Sequence, residues 1–277
     1  MQTKVSRIFE LFEKNLKEAK SLFLELSKQI KSKKAAMLFE KLEYLEIFGE
    51  LLGKIHFEQQ EFANQLFRDF RILQKDLKKI IRLKTVEIGL RDRQVLKNQT
   101  FKSYEAFLAD HKKGLHTEAF DRIVGGTISR WEKLNVEVKN GSIGHKPITI
   151  STAIHQLVNE ELEFFHIDWK KGLDSKACKD MDVGLRKILH LEFILQYLGF
   201  NPIFVTAIHE EIESLLQTLS KWYNNHLELQ SLSQYLSDKE QVSKKYLDWI
   251  KDLQTKKKSL SSAVEKQAQE LFHKILD

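Results

Sequence analysis

The sequence contains few of the residues that tie or bend a chain. Its 277 residues include one cysteine, Cys178, two prolines and eleven glycines. A single cysteine excludes an intramolecular disulfide, and a thiolate metal site would need other ligand types, which fits a reducing compartment. So few prolines and glycines argue against an all-β fold rich in turns, and they favour long helices.

Long apolar runs are also missing. No segment approaches the roughly eighteen apolar residues needed to span a bilayer. Residues 1–20 carry charges every few positions and have no apolar signal-peptide core. An apolar share of 42% with 30% charged residues is typical of a globular protein, and the net charge of +6 favours an anionic partner. We therefore expect a cytoplasmic protein without a membrane anchor.

Apolar residues recur at helical spacing along most of the chain. The first predicted helix extends through about residue 32, and the next three cover about 35–52, 58–90 and 100–123. After an interruption, four more are predicted at about 151–171, 175–198, 201–236 and 238–275. Gly53 is the expected C-cap of the second helix, Ser151 an expected N-cap, and Asn201-Pro202 the expected start of a long helix.

Residues 125–150 interrupt this pattern. They contain Gly125-Gly126, the run NGSIG and Pro147, together with the short β-like pieces WEKLNVEV and ITIS. We predict one domain over 1–277, with a first four-helix half at 1–124, an irregular connector at 125–150 and a second four-helix half at 151–277.

The two halves share sequence as well as helix order. LEIFGELLG at 45–53 matches LEFILQYLG at 191–199 at a leucine, a glutamate, a second leucine and a glycine. Each segment is followed by a long predicted helix. This repetition predicts an all-α, duplicated helical bundle whose halves are related by a pseudo-two-fold axis.

The most informative segment is Leu66–Lys84, LFRDFRILQKDLKKIIRLK. At 100° per residue, six basic residues fall within an arc of about 100°. We call these six the basic stripe: Arg68, Arg71, Lys75, Lys78, Lys79 and Arg82. Apolar residues collect on the opposite side. Like charges repel at i,i+4, and a solvated face usually mixes signs, so the stripe predicts contact with a polyanion.

Two segments of the second half carry a family resemblance: RKILHLEFILQYLG at 186–199 and LLQTLSKWYNNHLELQSLSQYL at 215–236. They resemble the CHAD (conserved histidine α-helical domain) family, which pairs a helix beginning His-x-x-Arg-Lys with one bearing Leu-Gln-x-x-Leu-Gly-x-Trp-x-Asp. Arg186 and Lys187 match the first motif. The Leu, Gly, Trp and Asp positions of the second are occupied by Leu219, Ser220, Trp222 and Asn224. LQKDLKKIIRLKTV at 73–86 resembles the equivalent helix of the first half.

The resemblance implies two four-helix bundles whose basic residues face a shared groove and bind inorganic polyphosphate. The chain resembles a divergent member of this family, because Met37 and Val183 occupy the positions of the family's histidines. We expect a non-catalytic protein that binds polyphosphate or another polyanion, without a cofactor or a metal. The expected ligand-binding residues are Lys33, Lys34, Lys41, Arg68, Arg71, Lys75, Lys78, Lys79, Arg82, Arg186 and Lys187.

Two other functions stay open: nucleic-acid binding, and a protein-interaction scaffold that kept the fold and lost the ligand. Two Glu-x-x-His pairs, Glu163–His166 and Glu270–His273, have the spacing used in di-iron bundles. On a helical wheel Glu163, Glu270 and His273 point away from the predicted apolar faces, which argues against a metal there. No phosphate-loop, dinucleotide or hydrolase motif is present, so nothing indicates an enzyme. The spacing of Trp222 with Leu215 and Leu219 predicts a core position.

Overall fold

The computed structural model describes residues 7–56, 60–126, 128–169 and 173–276, and the regular elements in these ranges are all α-helices. The helices are α1 (Arg7–Leu26), α2 (Ser32–Ile55), α3 (Gln60–Lys97), α4 (Lys102–Val124), α5 (Ser129–Gly141), α6 (Pro147–Trp169), α7 (Ser175–Tyr197), α8 (Thr206–Ser237) and α9 (Lys244–Leu276). The all-α prediction is confirmed. The side chain of His166 and the predicted helix end at residue 171 lie outside the described residues.

The predicted β-like pieces at 125–150 are wrong. WEKLNVEV belongs to α5, and ITIS belongs to the first turns of α6. Trp131, Leu134 and Val138 are all buried. Their spacing of three and four residues places them on one face of a helix, whereas alternation along a strand would have separated them.

Three predicted helix ends differ from the structure. Gly53 does not end α2, because Leu52, Gly53 and Ile55 are all buried on a packing face that continues to the end of the helix. Ser151 is not an N-cap, because α6 begins at Pro147, whose fixed φ suits the first helical turn. Asn201-Pro202 precedes α8 rather than opening it.

The ends of two further helices were also placed wrongly. The first helix stops at Leu26, short of residue 32, and the last begins at Lys244, after residue 238. α7 ends within one residue of its predicted end, and Gly199 follows it with a φ of +88°. That left-handed conformation favours glycine and allows the chain to leave the helix.

The chain divides into two compact units built from interleaved segments. The first unit comprises Met1–Ile81, Lys113–Glu160 and Leu189–Ile203, and the second comprises Arg82–Lys112, Glu161–Ile188 and Phe204–Asp277. α3, α4, α6 and α7 each contribute a segment to both. The predicted halves contain α1–α4 and α6–α9, with α5 between them. Their relation by duplication stays a prediction.

The core of the first unit forms where α1 packs against α2 and α5. Phe12 and Phe48 meet edge to face with ring centroids 5.7 Å apart. The ring centroid of Trp131 of α5 lies 5.4 Å from that of Phe23 and 4.8 Å from that of Phe70. Such aromatic contacts contribute beyond the area that they bury. They fix the orientation of α3 in this unit, and hence the direction of the basic stripe.

The core of the second unit forms along the contact of α8 with α9. Trp222 is 2% exposed and donates its indole N–H to the Ser261 hydroxyl at 3.0 Å. Trp249 contacts Phe101 at 4.9 Å. The prediction that Trp222 belongs to the core is confirmed. Trp222 itself is buried, whereas Tyr223 and His226 of the same helix are half-buried.

Candidate anion-binding site

α3 buries its apolar side and leaves the basic stripe at the surface. The buried apolar residues of the segment Leu66–Lys84 are Phe67, Phe70, Leu73, Leu77, Ile80 and Leu83. Each of the six stripe residues is exposed or half-buried. Because the two sets of residues occupy opposite sides of the helix, one face packs while the other meets water. The predicted amphipathic pattern is confirmed.

Acidic residues of α3 itself and of neighbouring helices neutralise part of the stripe. Arg71 donates its Nε–H to the Glu46 Oε1 atom at 2.8 Å, and its Nη2 lies 2.8 Å from the same oxygen. Lys79 lies 3.4 Å from carboxylate oxygens of both Asp76 and Glu118. The six residues of the basic stripe are all positively charged. In the folded chain, carboxylates lie beside some of them, so the surface there carries charges of both signs.

The other stripe residues of the first unit differ in their surroundings. The Lys78 ammonium lies 5.7 Å from the centre of the Phe39 ring, a distance suited to a cation–π contact. Arg68 and Lys75 are exposed, and neither forms an ion pair with a carboxylate among the described residues. They lie two turns apart on one face of α3. This part of the stripe therefore presents two unpaired charges.

The predicted lysines of α2 are mostly paired. Lys34 forms an ion pair with Glu25. Lys41 donates to the Asn15 amide oxygen at 2.8 Å and pairs with Glu18 at 2.6 Å. Lys33 is exposed and forms no ion pair within the described ranges.

Arg186 and Lys187, the predicted binding residues of α7, are each held by a carboxylate. Arg186 binds Asp182 through two N–H groups at 3.0 and 3.1 Å, one turn earlier in the same helix. Lys187 lies 2.8 Å from Glu161 of α6, and both of these side chains are largely buried. An anion would have to compete with these carboxylates for either residue.

A second group of cations converges at the C-terminal end of the stripe, within the second unit. The Nε–H of Arg82 donates to the Tyr223 hydroxyl of α8 at 2.9 Å. The Lys179 ammonium of α7 lies 6.0 Å from the centre of the same Tyr223 ring. Two cations from different helices are therefore brought to one tyrosine.

The charge of Lys257 of α9 acts on a neighbouring residue of α8, together with Lys179 and Arg82. The Ser261 hydroxyl, one turn further along α9, accepts the hydrogen bond from Trp222, and the Trp222 ring stacks on the His226 ring at 5.2 Å. Burial, together with the charges of Lys179, Lys257 and Arg82, lowers the pKa of His226 below its ordinary value. The field of all three cations therefore reaches one imidazole.

We call Arg82, Lys179, Tyr223, His226 and Lys257 the basic cluster. None of its three fixed cations forms an ion pair with a carboxylate in the described part of the chain. Only Arg82 was predicted from the sequence. Lys179 lies seven residues before Arg186 on α7, and Lys257 lies in the lysine run 256–258, which the sequence alone places on a solvated face. Neither position carries a signal that would link it to Arg82.

The structure offers little support for nucleophilic chemistry. Cys178 is buried, and burial raises the pKa of its thiol to about 11, so the thiol stays protonated near neutral pH. Among the described residues, no three side chains of His, Cys, Asp or Glu form a group able to hold a metal. Glu163, Glu270 and His273 are exposed, as the helical wheel predicts.

The chain was compared with known proteins. No protein-family model matches it, and no curated protein or solved structure is significantly similar to it. In the ranges that the structure describes, every helix is too short or too polar to cross a membrane. Any functional assignment therefore depends on the geometry of the basic cluster and on the sequence resemblance.

Proposed function

We propose that the protein binds a polyanion, with inorganic polyphosphate as the preferred ligand, and that the basic cluster is the principal contact. The observation that supports this most strongly is the meeting of Arg82 and Lys179, from two helices, at Tyr223, without a paired carboxylate among the described residues. The charge of Lys257, from a third helix, acts on the neighbouring His226 together with them. Unpaired cations gathered in this way repel each other, and an anion relieves that repulsion.

The residue types suit phosphate oxygens. The Arg82 guanidinium keeps further N–H groups after its bond to Tyr223, and it can present two of them to one phosphate. Lys179 and Lys257 act as point charges. The Tyr223 hydroxyl accepts from Arg82, so its own proton is available for donation. A polyphosphate chain carries about one negative charge per phosphate, so neighbouring phosphates can meet different residues of the cluster.

A calorimetric titration with long-chain polyphosphate at low and moderate salt tests the proposal. We expect binding at low salt that weakens steeply as salt rises, because cations at phosphate sites release counterions. Lys257→Glu should weaken binding by about tenfold or more, since a charge-assisted bond contributes about 1.5–3 kcal/mol. Absence of binding at low salt would refute the proposal.

Lys251→Glu is the matched control. Lys251 is exposed on the same helix, six residues away and about 120° around the helix axis from Lys257. Both variants change the net charge equally. If Lys251→Glu weakens binding as much as Lys257→Glu, the effect reflects overall charge, and the basic cluster is not the site.

The same titration separates polyphosphate from nucleic acid. Single-stranded binding normally uses several aromatic side chains on which successive bases stack. In the basic cluster Tyr223 is half-buried and engaged by Arg82 and Lys179, and Trp222 is buried. We expect single-stranded RNA of equal charge to compete poorly. Displacement of polyphosphate by equimolar RNA would favour nucleic acid as the ligand.

A second candidate function is a protein-interaction scaffold. The side chains at the positions of the CHAD-family histidines are exposed and apolar, at 44% for Met37 and 53% for Val183. Exposed apolar side chains at expected ligand positions favour protein contacts over anion contacts. Met37→Asp and Val183→Asp should leave polyphosphate binding almost unchanged under the first proposal. Loss of a protein partner in either variant would favour the scaffold.

A further inference from the structure

Two histidines and a backbone carbonyl converge in the first unit, away from the basic stripe. His56 Nε2 lies 2.8 Å from the carbonyl oxygen of Gly141, and His145 Nε2 lies 3.0 Å from the same oxygen. The two Nε2 atoms are 3.1 Å apart. Three potential metal ligands therefore form a nearly equilateral triangle. We call it the histidine triangle.

The fold brings these groups together from distant parts of the chain. His56 is the residue that caps α2, and Gly141 is the last residue of α5. Gly144 has a φ of +84°, which turns the loop after α5 so that His145 returns to the end of that helix. Both histidines and Gly141 are half-buried, so an ion has access from solvent.

The orientation of the imidazoles suits a shared ion. The Nε2 of His145 has hydrogen-bond geometry toward both His56 Nε2 and the Gly141 oxygen, so its ring points between them. The Nε2 of His56 points at the same oxygen. The two rings are inclined at 78°, with centroids 4.7 Å apart. Both nitrogen lone pairs can therefore be directed into the triangle.

Hydrogen bonding satisfies these groups only in part. If both Nε2 atoms carry protons, two N–H groups face each other across 3.1 Å. If only one of the two Nε2 atoms carries a proton, the other Nε2 and the Gly141 carbonyl oxygen must share that single N–H donor. A cation between the three atoms accepts electron density from all of them.

The electrostatic setting also favours a cation. The histidine triangle lies where α2 and α5 end, and the C-terminal ends of helices carry partial negative charge and unsatisfied carbonyl groups. The Gly141 carbonyl is one of these groups. A positive ion at this point interacts favourably with both helices.

We propose that the histidine triangle binds a divalent transition-metal ion of the zinc, copper or nickel class. With metal–nitrogen distances of about 2.0–2.1 Å, the separation of 3.1 Å gives an N–metal–N angle of about 95–100°. The same metal distance gives N–metal–O angles of about 85–95° from the separations of 2.8 and 3.0 Å. The ion sits above the triangle with its other side open to water, and imidazole is a preferred ligand of these metals.

Zn²⁺ titration of the full chain by calorimetry, in a buffer that does not bind metal, measures affinity and stoichiometry. We expect one Zn²⁺ per chain, bound at least about tenfold more weakly by His56→Gln and by His145→Gln, since even residues outside the ligand set contribute about 10–100-fold. His155→Gln, an exposed histidine of α6, is the matched control and should bind as the wild type does. Equal affinity in all four proteins would overturn the proposal.

Electron paramagnetic resonance of the wild-type protein with one equivalent of Cu²⁺ provides a test that needs no variant. We expect superhyperfine splitting of the Cu²⁺ signal from two equivalent imidazole nitrogens. Splitting from one nitrogen, or from three or more, would contradict a site made of His56, His145 and a carbonyl oxygen. Both tests are independent of polyphosphate binding, so each proposal can fail without the other.

Discussion

The Glu228 carboxyl group of α8 occupies the space that a side chain at Gly89 of α3 would need. A Cβ built at residue 89 would overlap the Glu228 Cδ atom. Gly89 is buried inside a long helix, where glycine is about 1 kcal/mol less favourable than alanine. The carboxyl is the movable end of the Glu228 side chain, so a side chain at residue 89 would displace it.

Gly89→Ala should therefore have different effects in two backgrounds. In the wild type it displaces the Glu228 carboxyl, the movable end of a flexible side chain, so we expect the gain in helix propensity to be largely offset and the free energy of unfolding to change by less than about 0.5 kcal/mol. In Glu228→Ala the space is empty, and the same change should stabilise by about 0.5–1 kcal/mol through helix propensity. Urea denaturation of the four proteins measures this cycle. Equal effects in both backgrounds would show that the two residues are not coupled.

The half-buried Glu228 should also make stability depend on pH. Burial raises the pKa of Glu228 from 4.5 to about 7, Lys256 opposes the shift, and Asp92 adds to it. Between these two values the folded state binds more protons than the unfolded state, so stability falls as pH rises. Below the lower value both states are protonated, and the group makes no difference.

Glu228→Gln should remove this dependence. We expect the variant to match the wild type near pH 4.5 and to exceed it near pH 7.5 by roughly 1–3 kcal/mol, since one pKa unit corresponds to about 1.4 kcal/mol. Urea denaturation at both pH values measures the difference. Glu210→Gln, an exposed position on the same helix, is the control and should follow the wild type. A variant that loses stability at pH 7.5 would show that the Glu228 charge stabilises the fold.

Arg71 should behave as a structural residue. Its hydrogen bond and ion-pair contact with Glu46 are partly shielded from water, and the Glu46 carboxylate also accepts from Gln74 at 3.2 Å. Arg71→Glu places two carboxylates together and should lower the free energy of unfolding by about 1–3 kcal/mol. Exchange of the two charges, Arg71→Glu with Glu46→Arg, should restore about half of that loss or more.

The binding readout of Arg71 separates this role from a ligand role. We expect the exchanged variant to bind polyphosphate with nearly wild-type affinity, measured by calorimetry at low salt. Lys75→Glu on the same face provides the comparison, because Lys75 is exposed and forms no ion pair among the described residues. If the exchanged variant loses binding more severely than Lys75→Glu, Arg71 contacts the ligand directly.

His226 should link anion binding to pH. Its pKa is lowered first by burial and then by Lys179, Lys257 and Arg82, so the imidazole is neutral near neutral pH. A bound phosphate offsets the three positive charges and raises the pKa of His226. At pH values below about 6.5, phosphate binding is therefore accompanied by protonation of the imidazole. Polyphosphate affinity should rise on acidification, and His226→Gln should reduce that rise. Equal pH dependence in both proteins would exclude His226 from the site.

The spacing of apolar residues along the chain predicted the long helices well. The apolar positions of α3 repeat every three to four residues over several turns, so its buried face follows from spacing alone. α5 was missed because it is short and is flanked by glycines and by NGSIG, which resemble turns. Trp131, Leu134 and Val138 share one helical face through their spacing, and α1 and α2 pack against α5. Packing against neighbours overrides weak local preferences.

The composition and periodicity of the sequence determined an all-helical protein with a basic amphipathic α3, because both properties depend on residues within a few turns of each other. Which charges remain unpaired was set by tertiary packing. Glu46 and Glu118 approach Arg71 and Lys79 from other helices, whereas Lys179 and Lys257 join Arg82 without a carboxylate among the described residues. The histidine triangle likewise joins residues some ninety positions apart. Electrostatic interactions act through distances in space, and only the folded chain defines those distances.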